Sequence, residues 1–215
     1  MARRGKASGK ATGKAKGALR PKAAPPAERF STPRLLRNLA LAALPVVLLW
    51  LALTPFYNRF LIAAGGNLVR LTEVPNATEL VPALEDRHYA LVVRTDFPPA
   101  TRRVGSFRVT DLHFHLLLLG TLFLAVPGVP WQERLRNLGW ALLAAVCFHV
   151  VLVLLWVKFQ YATQLGDWSL EHYGPAARNF WGLAKHLADL PVKLGLPLGL
   201  WVVFYLDRLL PGREV

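Results

Sequence analysis

The stretch Leu138–Val157, LGWALLAAVCFHVVLVLLWV, is twenty residues without a formal charge. As an α-helix rising about 1.5 Å per residue it is about 30 Å long, the thickness of a bilayer's hydrocarbon core. Three further runs, Leu35–Phe56, Leu112–Val126 and Val192–Leu206, are predominantly apolar, with Arg37 and Lys193 near the start of the first and last. The chain is 53% hydrophobic yet carries a formal charge of +13 over 215 residues. One soluble core cannot absorb that many apolar residues. The two facts agree once the apolar residues are gathered into spans and the charges into the segments between. The expected fold is therefore a mainly α membrane protein: a four-transmembrane-helix bundle with a small extracytoplasmic β-hairpin or irregular insert. Its membrane domain is 34–210, with spans at about 35–56, 112–127, 138–158 and 191–207. The insert is 57–111, and a second extracytoplasmic loop is 159–190.

Residues 1–33 are dominated by Lys, Arg, Ala, Gly and Pro, with no acid before Glu28. Such a segment cannot bury enough surface to offset its ordering entropy, so a disordered basic cytoplasmic tail is expected. Arg3, Arg4, Lys6, Lys10, Lys14, Lys16, Arg20 and Lys22 are expected to face anionic lipid headgroups, which attract each by roughly 1 kcal/mol. No aromatic residue precedes Phe30 to stack on bases, so no specific nucleic-acid partner is expected. The basic tail, with Arg134, Arg136, Arg208 and Arg213, places both termini in the cytoplasm of a multi-pass inner-membrane protein. The first run is long for a signal peptide and reads as an uncleaved anchor.

Between the spans the signals are local. Pro45 is expected to kink the first span. Phe60–Leu71 reads as a separate helix, interrupted by Gly65-Gly66 and lying at the interface or on the bundle. Pro75, Asn76 and Pro82 mark Thr72–Asp86 as loop. His88–Thr95 and Val104–Thr110 read as a hairpin, with Tyr89, Leu91 and Val93 on the face that meets Phe107 and Val109. Lys158 is placed to snorkel at the end of the third span. Ala176–Leu190 has the pattern of an amphipathic helix, and Gly120 and Gly139 offer close helix approach.

Few residues carry candidate chemistry. Asp111, His113 and His115 combine carboxylate and imidazole, which suit zinc or a proton relay; against this stands a polar entry to a membrane helix or a partner contact. No metal or other cofactor is expected. His149 lies inside an apolar span and needs a hydrogen-bond partner, for which Thr121 is a candidate. Cys147 is flanked by Val146 and Phe148 with no Arg in its span, the setting of an inert thiol. Glu171, His172, Trp181 and His186 are candidates for partner contact, or for a site shared with the Asp/His cluster. HExxH, GxSxG and phosphate-loop motifs do not occur.

The segments LALTPFYNRFLIAAGGNLV, HYALVVRT, LRNLGWALL and LPVKLGLPLGLW, spread over residues 35–210, resemble the exosortase H-associated membrane proteins of Gram-negative bacteria. The resemblance implies an accessory subunit encoded beside a transpeptidase-like membrane enzyme, an exosortase, that processes proteins with a C-terminal sorting signal. It supplies no catalytic residues. Those enzymes use a membrane-embedded Cys in an Ala-Cys-Ser/Ala-Gly context with Arg partners, from which Ala145-Val146-Cys147-Phe148 departs. The expectation is a non-enzymatic accessory protein whose partners are the bilayer and an exosortase-like integral membrane protein. Two alternatives stay open: a membrane enzyme using the Asp/His cluster or Cys147, and a small transporter or channel subunit.

Overall fold

The computed structural model describes residues 32–209. The remainder of the expected tail, with Arg3, Arg4, Lys6, Lys10, Lys14, Lys16, Arg20 and Lys22, lies outside the described residues. In chain order the elements are α1 (Thr32–Leu71), β1 (Thr78–Pro82), β2 (Tyr89–Arg94), β3 (Arg103–Arg108), α2 (Val109–His113), α3 (Leu116–Ala125), α4 (Trp131–Thr163), α5 (Asp167–His172), α6 (Pro175–Leu187) and α7 (Lys193–Leu209). Three helical stretches are long and apolar enough to cross a membrane: Thr32–Leu71, Trp131–Thr163 and Pro175–Leu206.

α1 is one unbroken helix of 40 residues, about 60 Å long and twice the thickness of a hydrocarbon core. The segment 60–71 is thus its last three turns and not a separate helix. The first half exposes Leu36, Leu41, Leu44, Leu48 and Phe56. The second half buries Leu61, Ile62, Gly65, Gly66 and Val69 on one face. Interior glycines each cost a helix about 1 kcal/mol. Here the cost is offset by approach: a Cβ at Gly65 would stand 2.4 Å from Val153 of α4, and one at Gly66 would stand 3.5 Å from Leu80 of β1.

The sheet is an antiparallel meander in the order β1-β2-β3. β1 falls where loop was expected. Pro75 and Asn76 precede it, and Pro82 is its last residue on an edge strand, where a missing N–H is tolerated. The buried face of β2 is Ala90, Val92 and Arg94, and not Tyr89, Leu91 and Val93. Ala90 lies opposite Phe107. Alternation alone assigns the set containing an arginine to water. Arg94 stays inside because three aromatic rings and an aspartate enclose it. Val109 leaves the sheet and opens α2, its N–H donating to the His88 carbonyl at 2.7 Å.

The expected second span is shorter than the three long apolar stretches: Val109–Ala125 is a shorter apolar helical stretch, broken after His113. The α3 C-terminus is fastened from both sides. Asn38 Nδ2 donates to the Ala125 carbonyl at 3.1 Å and Arg134 Nη1 to the Leu124 carbonyl at 2.7 Å. Such donors satisfy carbonyls that a helix end leaves open. Gly120 of α3 does admit α1 closely, with Val46 at 3.1 Å from its would-be Cβ, whereas a would-be Cβ at Gly139 meets no other part of the described residues within 4 Å. α4 contains the whole third span and continues past Lys158 to Thr163. Residues 159–190 are mostly helix rather than loop. α6 passes through a π-helical turn at Ala188–Val192, where Pro191 withholds its N–H, into α7.

Two apolar cores result. One joins α1, the sheet and α4 through Leu61, Val69, Val92, Phe107, Val153 and Tyr161. The other joins α3, α4 and α7 through Leu119, Phe123, Ala141, Ala145 and Tyr205.

Candidate functional site

Two polar constructions lie at the sheet end of the helices. The first is internal. His113, His115 and His149 are all fully buried or within 1% of it, and each is held by side chains from other elements. Asn58 of α1 donates through Nδ2 to the Arg87 carbonyl and to Thr110 Oγ1, both at 3.2 Å. Its Oδ1 is therefore the acceptor, and His113 Nε2 donates to it at 2.7 Å. That fixes the His113 tautomer, so Nδ1 accepts from Trp50 Nε1 at 3.2 Å. Beside it runs a second chain: Tyr57 hydroxyl to His149 Nδ1 at 2.7 Å, and His149 Nε2 to His115 Nε2 at 3.0 Å. One proton lies between the two facing nitrogens. Whichever way the protons run, His115 Nδ1 has no partner among the described residues.

This network ties α1, α2, α3 and α4 together where the apolar helices meet the sheet. Unpaired, each group would cost the fold its desolvation penalty; paired, the groups specify one packing. His149 does bond across the bundle, to Tyr57 and His115, while Thr121 donates to its own helix at Leu117. Asp111 does not join: its side chain is 61% exposed and stands 3.7 Å from Arg108. Cys147 is exposed although His149, two residues on, is buried. Positions i and i+2 on a helix face apart, so no thiol–imidazole pair forms. Among the described residues, no group of three or more His, Cys, Asp or Glu side chains is placed to hold a metal ion.

The second construction is a cleft of about 380 Å³ lined by Thr72, Glu73, Val74, Pro75, Arg94, Asp96, Lys158, Trp168, His172 and Tyr173. Arg94 clamps Asp96, Nε donating to Oδ1 and Nη2 to Oδ2. Its guanidinium lies 4.6 Å from the Trp168 ring and 5.1 Å from both Phe97 and Tyr161. The Arg94 hydrogen bonds hold the Asp96 carboxyl below the usual carboxylate range. Burial pushes the Tyr173 phenol up. Lys158 does not snorkel. Its side chain is 11% exposed and its ammonium stands 3.4 Å from Glu73, itself 8% exposed. Tyr161 donates to Thr78 Oγ1 at 2.6 Å, leaving the Thr78 hydroxyl to donate to Glu73 Oε2. His172 stacks on Trp168 at 4.2 Å and so borders this cleft.

The remaining expected site residues scatter. Glu171 is exposed on α5. Trp181 is half-buried against Phe180, and His186 meets Phe159 edge-on. Neither they nor His172 converge on the buried histidines. Glu73, Arg94, Asp96 and Lys158 carried no mark in the sequence as site residues. The one local signal was Arg94 in an otherwise apolar strand, two residues before Asp96. No family model matches the chain, and comparison with curated proteins and with solved structures finds no match.

Proposed function

We propose that the chain is a non-enzymatic accessory protein of the inner membrane. It crosses four times with both termini cytoplasmic, its second crossing made by the short α2–α3 segment. It docks an exosortase-type protein-sorting enzyme on the extracytoplasmic side. The observation that carries this reading is a mismatch of polarity at one depth. Gly65 of α1 packs on Val153 of α4. Lys185 of α6 lies 3.9 Å over Trp156, and His186 meets Phe159, also on α4. Lys185 and His186 of α6 therefore stand level with residues 68–71 of α1, its last turn. In the last two turns of α1 the exposed positions are Asn67, Arg70 and Leu71, of which Asn67 and Arg70 suit water. At the same level α6 exposes Phe180, Leu183 and Leu187 at 59%, 63% and 49%, one stripe at helical spacing. Apolar residues held beyond the lipid and grouped on one helix face mark an interaction surface.

A photo-crosslinking residue at position 183, in cells that also make the sorting enzyme, tests the reading, with position 67 as control. The expected product is an adduct between this chain and the polytopic enzyme from 183 and none from 67. Leu183→Arg should lower co-purification of the enzyme by about tenfold or more, since burying a leucine contributes roughly 1.5–3 kcal/mol. Adducts with lipid alone would refute docking through α6.

A further inference from the structure

The cleft between the end of α1, the sheet and α5 is built around a cation whose hydrogen bonds are incompletely used. Lys158 is 8% exposed and lines the cleft. An ammonium has three donors. Glu73 is its one recorded partner among the described residues, at 3.4 Å, well beyond the ~2.7–2.9 Å of a strong charge-assisted bond. Glu73 is drawn away by the Thr78 hydroxyl on its other oxygen. Arg94 adds a second buried positive charge at the wall, its planes covered by rings and its fork occupied by Asp96. Trp168, Tyr173 and Pro75 supply an apolar wall beside these charges. A volume of about 380 Å³ lies in the range of small-ligand pockets.

We propose that this cleft binds a carboxylate, the monoanion of an acidic side chain or chain terminus of a peptide, on the free donors of Lys158. Charge sets the class. Arg94 and Lys158 balance Glu73 and Asp96, so the cleft is formally neutral before the ligand enters. A monoanion can take the unused ammonium donors at close range. A dianion such as phosphate meets two fixed carboxylates as well. The aromatic wall covers the carbon atoms next to the carboxylate and excludes water from its bond to Lys158.

The test uses full-length protein in detergent micelles, titrated calorimetrically with N-acetylglutamic acid α-amide and with its uncharged isostere, N-acetylglutamine α-amide. The glutamyl probe should bind saturably and at least about tenfold tighter than the glutaminyl one, as expected for a charge-assisted bond. Lys158→Met should abolish that preference. Glu73→Gln, which removes the competing carboxylate, should tighten binding by about three- to tenfold. Misfolding cannot mimic that pair of opposite signs. N-acetyl-leucine and acetyl-Leu-Glu-Leu-amide separate a chain terminus from an internal acidic side chain. Equal affinity for the two glutamic and glutamine probes, binding unchanged in Lys158→Met, weakened binding in Glu73→Gln, or inorganic phosphate outcompeting the carboxylate would each overturn the proposal.

Discussion

Gly65 and Gly66 are adjacent, both buried and both inside α1, yet alanine should act on them with opposite signs. At Gly66 the nearest atom to an added Cβ is Leu80 Cβ at 3.5 Å, and the next is at 3.6 Å. Those are ordinary carbon contacts. The methyl packs, the helix gains its propensity, and Gly66→Ala should stabilise by about 0.5–1 kcal/mol. At Gly65 an added Cβ stands 2.4 Å from Val153 Cγ1 and 2.7 Å from Val153 Cβ. Turning the valine about χ1 moves Cγ1 but leaves Cβ in place, and Val153 is 0% exposed with no room to shift. The two helices must part by about 1 Å to restore a normal separation of ~3.5 Å. Overpacking of this kind costs about 1–3 kcal/mol. Set against a propensity gain near 1 kcal/mol, Gly65→Ala should be destabilising by up to about 2 kcal/mol. Val153→Ala alone should cost about 2–3 kcal/mol in lost burial and cavity. In the double variant the methyl added at position 65 partly fills that cavity, giving a coupling of at least about 1 kcal/mol. Reversible unfolding in mixed micelles of dodecyl maltoside with rising dodecyl sulfate, followed by circular dichroism, measures all five proteins, the wild type included. Stabilisation by Gly65→Ala, or strict additivity with Val153→Ala, would refute the close approach of α1 and α4.

His149→Leu breaks bonds to Tyr57 and His115 and strands both, so it should lower stability in the same assay by about 2–4 kcal/mol, with Tyr57→Phe costing about half as much; an unchanged unfolding midpoint would count against the network. The Asp96 carboxyl is held low by Arg94, so the stability it contributes is fully present above the unfolded carboxylate pKa and disappears as pH falls through the lower folded value. The gap in stability between wild type and Asp96→Asn should therefore close as pH falls through and below the ordinary carboxylate range, and a gap that widens on acidification contradicts the pair. Arg134→Met removes donors to the Leu124 carbonyl at the end of α3 and to the Val129 carbonyl in the turn after it, and should cost about 1 kcal/mol without altering the cleft. Cys147 is exposed on α4, so a lipid-soluble maleimide should label it in the folded protein without changing the unfolding midpoint; resistance to labelling until unfolding would place it inside the bundle.

The apolar helices were legible because their signal is local. Leu138–Val157 announces a long helix by composition alone, and α4 contains it whole. What composition could not give was where the helices stop. α1 runs on through Gly65-Gly66 because Val153 and Leu80 fill the space the glycines leave, and both lie far away in the sequence. β1 escaped notice because edge-strand prolines look like loop prolines until the neighbouring strand is known. The hairpin itself was foreseen with its faces exchanged. Tyr89, Leu91 and Val93 outrank Ala90, Val92 and Arg94 in hydrophobicity, and only the ring cage around Arg94 reverses the choice.

The same distinction separates the two polar constructions. The buried histidines could be singled out because an imidazole within an apolar run is anomalous wherever it is read. Their partners could not, since Asn58, Tyr57 and Trp50 look unexceptional on their own helix. The cleft left almost no trace, because Glu73, Arg94 and Lys158 each have a bland local reading: a loop acid, a strand end and an interfacial lysine. Their meaning arises from convergence. α1 carries Glu73 above its last turn, the sheet turns Arg94 inward, and α4 lifts Lys158 to meet both. A helix of only about 20 residues could do none of this. The length of α1 and α4 beyond the about 30 Å that a hydrocarbon core would need is thus what allows a chain so rich in apolar residues to hold charged groups apart from its apolar segments, around a cavity.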